Sequence, residues 1–102
     1  METAGQLIRA KRESLGLFLR QVASYLDIDQ AILSKIEHGT RKPTKNNIIK
    51  LSEILKLDHE DLFIQFMSEK IANDILEEDC ARKILKLAER KLKYMKSNLV
   101  KH

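Results

Sequence analysis

Apolar residues recur at intervals of three and four along most of the chain, the spacing of one face of an α-helix, and polar breaks divide the pattern into six segments. Ala4, Leu7, Ile8 and Leu15, with Lys11 between them, define the first; Thr3 is placed to cap it and Gly16 to end it. Leu19, Val22, Ala23 and Leu26 predict a short second helix over residues 18–26, closed by the turn Asp27-Ile28-Asp29. Asp29 is a candidate N-cap for a third helix, with Leu33 and Ile36 on its buried side and Gly39 as a left-handed C-terminal residue. After the basic loop Thr40-Arg41-Lys42-Pro43, in which Pro43 biases Lys42 to extended backbone, Thr44 caps a fourth helix carrying Ile48, Ile49, Leu51, Ile54 and Leu55. Asp58 is suited to cap a fifth, with a wide apolar stripe of Leu62, Phe63, Phe66, Met67 and Ile71 and an end near Ile75 and Leu76. From Asp79 onward, Ile84, Leu87, Ala88, Leu92, Met95 and Leu99 fall between lysines and arginines and predict an amphipathic sixth helix. No internal repeat or low-complexity linker breaks the sequence.

Composition supports an all-α fold. Three Gly, one Pro and five aromatics offer little turn chemistry for a sheet, and 102 residues provide one hydrophobic core rather than two. At 43% hydrophobic and 33% charged the chain is expected to fold. The lone Cys80 excludes an intrachain disulfide and a Cys-based zinc site, and fits a reducing compartment such as the cytoplasm. Residues 1–20 include Glu2, Arg9, Lys11, Arg12, Glu13 and Arg20, so neither a signal peptide nor a membrane span is expected. The net charge of +4 is modest, but it is unevenly laid out. Residues 1–57 hold ten Lys/Arg against six Asp/Glu, residues 58–81 hold one against eight, and residues 82–102 hold eight against one. An acidic block followed by a basic tail suggests faces with different neighbours; solvated helix surfaces explain the same layout.

The segment Leu19–Glu37 carries the functional signal. Two short helices joined by a tight turn at a crossing of about 90–120° must approach closely, and Ala23 is small enough to allow it. Ile28 plugs the turn, Leu33 and Ile36 anchor the third helix, and Gln30, Ala31, Ser34, Lys35 and His38 are left on a short polar face. Taken singly, each of these is an ordinary exposed residue. The whole run, Gly16-Leu17 through Leu26 and then Ile28 through Thr44, resembles the Xre family of helix-turn-helix regulators, relatives of lambda repressor and Cro. Its most specific part is Leu33-Ser34-Lys35-Ile36-Glu37 followed by Gly39, Arg41, Pro43 and Thr44.

The resemblance covers about residues 5–64. It implies a five-helix, lambda-repressor-like DNA-binding domain over residues 1–64 and a C-terminal helical extension over 65–102. In that arrangement the third helix enters the major groove of double-stranded DNA and the following loop lies along the phosphates. Gln30 is then suited to pair with adenine, Lys35 to reach guanine or a phosphate, Ser34 to either, and Ala31 to a thymine methyl. Arg20, Arg41, Lys42 and Lys45, with open amides at the start of the fourth helix, are the phosphate candidates. Glu37 is expected to be structural, since a carboxylate facing phosphates would repel them. The chain departs from the family pattern at three positions: Phe18 stands for the usual Ser/Thr cap of the second helix, Leu19 for a polar DNA-facing residue, and Asp27 for the turn Gly. Asp tolerates left-handed backbone, so the turn survives.

The last two segments carry more apolar surface than so small a domain can cover, and a second copy of the chain is the economical cover. Phe63, Phe66, Met67, Ile71, Ile84 and Leu92 are the expected seam, with a protein partner on the same helices as the rival reading. The acidic block and the basic tail would pair within or between subunits, or the tail would add phosphate contacts. No Ser/His/Asp or Cys/His arrangement, buried carboxylate pair or phosphate-cradling Gly loop is present, so an enzyme is not expected. His38, His59 and His102 share no ligand spacing with one another or with Cys80, and no metal, cofactor or small-molecule ligand is expected. Acidic neighbours at Glu77, Glu78 and Asp79 disfavour a reactive Cys80 thiolate, which is expected to pack at the start of the sixth helix. The leading expectation is a homodimeric transcriptional regulator, a repressor, on a palindromic operator. Antitoxins and restriction-modification controllers share the resemblance, and the rival class is a protein-interaction module that has lost DNA binding.

Overall fold

The computed structural model describes residues 1–101; His102 lies outside the described residues. Among them the chain is helical throughout: α1 (Ala4–Ser14), α2 (Leu19–Leu26), α3 (Gln30–His38), α4 (Lys45–Leu55), α5 (His59–Ile75) and α6 (Ala81–Lys101). It divides into two compact units, Met1–Lys70 and the remainder from Ile71 on.

Local chemistry accounts for most helix ends. Thr3 and Thr44 each accept the amide of the residue three positions on, Gln6 at 3.1 Å and Asn47 at 3.0 Å, and the Gln6 and Asn47 side chains return the bond to the cap amide. Asp58 accepts the Asp61 amide at 3.0 Å and caps α5. Asp29 differs from expectation: its backbone occupies the N-cap position of α3, but only its carbonyl serves the first turn, accepting from Ile32 and Leu33, and its carboxylate makes no cap bond. At the other ends, Gly39 at φ 79° lets the Thr40 amide reach back to the Lys35 carbonyl at 2.9 Å. Asp27 takes up left-handed backbone at φ 56° and ends α2 where a glycine is usual.

The core of the first unit is built from Ile8, Val22, Ala23, Leu26, Leu33, Ile36, Ile48, Leu51, Leu55 and Leu62, with the half-buried Ile28 plugging the α2–α3 turn as its position required. Gly5 sits where α1 presses on the end of α3: a Cβ there would lie 2.3 Å from the Glu37 carbonyl oxygen. The start of α1 is also tied to α5, because the Glu69 carboxylate accepts the Ala4 amide at 2.7 Å.

Two expectations along α5 and α6 need revision. The stripe on α5 is covered only in part: Leu62 is buried and Phe63 and Phe66 pack against the core, whereas Met67 and Ile71, further along the helix, are exposed, as is Ile64 beside the stripe. Residues three and four apart share one side of a helix, so the difference lies in how far along α5 that side is covered. Cys80 is exposed in the turn before α6 rather than packed beneath it.

Candidate nucleic-acid interface

The α2–α3 pair presents a short, largely polar face because its main apolar anchors are turned inward. Val22, Ala23 and Leu26 on α2 and Leu33 and Ile36 on α3 are buried. That leaves Gln30, Ala31 and Lys35 exposed along one side of α3, with Ser34 half-buried between them. His38, one turn on, is also exposed and its Nδ1 lies 2.7 Å from the Ser34 carbonyl oxygen, so the ring is folded back on its own helix.

The cations expected to meet phosphates, Arg20 in the first turn of α2, Arg41 and Lys42 in the α3–α4 loop and Lys45 at the start of α4, are all exposed. None of the four pairs with a carboxylate among the described residues. Of the amides in the first turn of α4, that of Asn47 is taken by Thr44, which leaves those of Lys45 and Asn46 as open donors. The loop itself is held by the Thr40 and Arg41 amides, both donating to the Lys35 carbonyl.

Beneath this surface lies an ion pair. Arg12 of α1 donates through Nε to Glu37 Oε2 at 2.8 Å and through a second guanidinium nitrogen to Oε1 at 3.1 Å, and both side chains are almost fully covered. Its remaining fork nitrogen donates to the Leu17 carbonyl at 2.9 Å, between α1 and α2. The hydrogen bond to Glu37 outweighs the cost of burial and raises the Arg12 pKa above its ordinary value. One bidentate guanidinium therefore ties the end of α3 to α1 and to the entry of α2. Glu37 is structural, as its position implied. Its partner, 25 residues earlier, and the close approach at Gly5 gave no local signal in the sequence.

The residues expected to form a seam fall in different environments. Phe63 and Phe66 are half-buried against the core, while Met67, Ile71, Ile84 and Leu92 are exposed. Leu85, Leu87, Met95 and Leu99 extend the exposed apolar set on α6. Within the second unit, Glu77, Glu78 and Asp79 make no ion pair among the described residues. No group of three or more His, Cys, Asp or Glu side chains among the described residues is arranged to hold a metal, and no helix is long and apolar enough to cross a membrane.

Comparison with known proteins agrees with this geometry. The HTH_3 helix-turn-helix family model matches residues 8–62. Over 63 residues, 61% of its length, the chain is 41% identical to the HTH-type transcriptional repressor RghR of Bacillus subtilis (strain 168), of which that stretch is 47%. It is 30% identical over 61 residues to an HTH-type transcriptional regulator of Mycobacterium tuberculosis, covering 60% of this chain and 44% of that protein. The chain thus spans just under half the length of these relatives. A chain of the solved SinR protein/SinI protein complex shares the fold, with a TM-score of 0.54 and 22% identity over 93% of this chain and 99% of that one. With more than half of its residues matched, the chain belongs to the Xre-like helix-turn-helix family.

Proposed function

We propose that the protein is a sequence-specific double-stranded DNA-binding transcriptional regulator, a repressor acting as a homodimer on a palindromic operator in the cytoplasm. The observation that carries the reading is α3 as a recognition helix: it exposes Gln30, Ala31 and Lys35 along one side, and Arg20, Arg41, Lys42 and Lys45, before and after it in the chain, are exposed and bound to no carboxylate among the described residues. Inserted into a major groove, that side meets base edges while the flanking cations meet the two phosphate walls. The helix-turn-helix family model that matches residues 8–62 spans this segment, and the relatives named above bear the names repressor and regulator.

A homodimer is supported by the exposed apolar residues of α5 and α6. Ile64, Met67 and Ile71 are exposed on the one, and Ile84, Leu85, Leu92, Met95 and Leu99 on the other, and each set is apolar surface that a second copy can cover. Two copies would set their recognition helices about 34 Å apart, one turn of the duplex, and double the contacts that one nine-residue helix can make.

The two kinds of contact are separable by mutation. Gln30→Ala and Lys35→Ala are each expected to cost about 1–3 kcal/mol on the selected operator and to relax preference at the base pair they read. Lys42→Ala is expected to weaken binding to all duplexes alike and to lower the slope of affinity against salt by about 1. Equal losses on operator and random duplex for all three variants would contradict base reading by α3.

A further inference from the structure

The four candidate phosphate cations are not held alike. Three arginines occur in the first 20 residues, and two of them are committed to carboxylates: Arg9 to Glu13 at 3.0 Å and Arg12 to Glu37 at 2.8 Å. Arg20 has an aromatic partner instead, its guanidinium carbon lying 4.6 Å from the centroid of the Phe18 ring. Lys45 repeats the arrangement at the start of α4, with its ammonium nitrogen 5.6 Å from the centroid of Phe63. Both separations fall within the range over which the negative face of a ring attracts a cation.

Phe18 is costly to keep where it is. It is 57% exposed, and it stands at the N-cap of α2, where a Ser, Thr, Asp or Asn side chain would accept a first-turn amide and a phenyl ring cannot. Neither burial nor capping accounts for it. The contact to Arg20 does, through a property that a carboxylate lacks: a ring face restrains a cation without neutralising it. A carboxylate at the same place would hold the guanidinium equally well and cancel the charge a phosphate needs. Phe63 serves the core with part of its surface and Lys45 with one face, which gives its aromatic character a use beyond packing. The two cations so held lie in the first turns of α2 and α4, before and after the recognition helix in the chain.

We propose that Phe18 and Phe63 are positioning residues for DNA binding, holding Arg20 and Lys45 over their ring faces so that both cations meet phosphates already restrained and fully charged. The inference rests on the DNA-binding reading above.

The test is a double-mutant cycle on full-length protein, with affinity for a selected duplex and for random duplex measured across salt. Phe18→Leu, which keeps an apolar side chain and removes the ring, is expected to weaken binding about two- to five-fold per subunit on both duplexes, without changing base preference. Phe18→Trp is expected to recover the loss. In an Arg20→Ala background Phe18→Leu is expected to do nothing further, and Phe63→Leu is expected to show the same coupling to Lys45→Ala once thermal unfolding shows the variant folded. In the free protein, the Arg20 Hδ protons are expected to show an upfield ring-current shift by NMR that Phe18→Leu abolishes. Equal losses with and without Arg20, or no ring-current shift, would overturn the positioning role while leaving DNA binding intact. A wild-type chain that binds no duplex at any salt would overturn the DNA-binding reading, and the positioning role with it.

Discussion

At the scale of single residues, the Arg12–Glu37 pair is the most consequential contact beneath the recognition helix. Both side chains are covered, so removing one leaves the other charged and without a partner. Glu37→Gln is therefore expected to destabilise the fold by about 3–5 kcal/mol in urea unfolding, whereas Arg12→Met with Glu37→Leu is expected to be nearly neutral. A near-zero cost for Glu37→Gln would show that water reaches the pair. A second residue-scale contact is set by pH. The Tyr25 phenol donates to the Glu53 carboxylate at 2.7 Å, and that bond, ahead of the smaller effects of burial and of the negative charge, raises the Tyr25 pKa. Because the folded-state pKa is raised, the bond contributes below the ordinary phenol range and is lost as pH rises through the folded value. Ultraviolet titration is expected to place Tyr25 ionisation above an ordinary phenol, with Glu53→Gln lowering it. The structural role of Glu37 was legible in its position on α3, but Arg12 as its partner was not. A pairing across 25 residues depends on how α1 and α3 come together, which no local pattern records.

At the scale of elements, periodicity and caps located all six helices, and the left-handed ends at Asp27 and Gly39 fell where the residue types suggested. What periodicity could not resolve was how far along α5 the apolar stripe is covered. Phe63 and Phe66 lie beside Met67 and Ile71 in sequence, yet the first two go to the core and the others to the surface. Spacing alone reports that a side is apolar and not what covers it. The close approach of α1 to α3 at Gly5 was likewise invisible, since glycine near a helix start has several uses. Gly5→Ala would gain helix propensity, about 1 kcal/mol, but would place Cβ 2.3 Å from the Glu37 carbonyl and 2.7 Å from that of Ile36, backbone atoms that cannot step aside. The net effect is expected to be a lower melting temperature together with weaker DNA binding, because the shifted contact is the end of the recognition helix. An unchanged or raised melting temperature would mean that α1 moves freely over α3.

At the scale of the whole molecule, recognition by one short helix needs a second copy to become selective. The exposed apolar residues of α5 and α6 are its expected cover, and Ile71→Asp and Leu92→Asp are each expected to convert a dimer to a monomer in sedimentation velocity while leaving helix content unchanged. A monomeric wild-type protein at micromolar concentration would contradict the dimer directly. The polar face of α3 and its flanking cations were legible in the sequence because the helix-turn-helix motif constrains so many positions at once. The aromatic rings beneath Arg20 and Lys45 were not, because Phe18 looks like a poor cap and Phe63 like one more apolar residue on a stripe. The central claim is that the chain reads sequence in duplex DNA. It is tested most directly by selecting from a randomised duplex pool and following affinity for the selected sequence from about 50 to 200 mM salt. Recovery of a palindrome with half-sites about one helical turn apart, bound far more tightly than random duplex at every salt, is the predicted result. Binding that is blind to sequence and collapses with salt would contradict it.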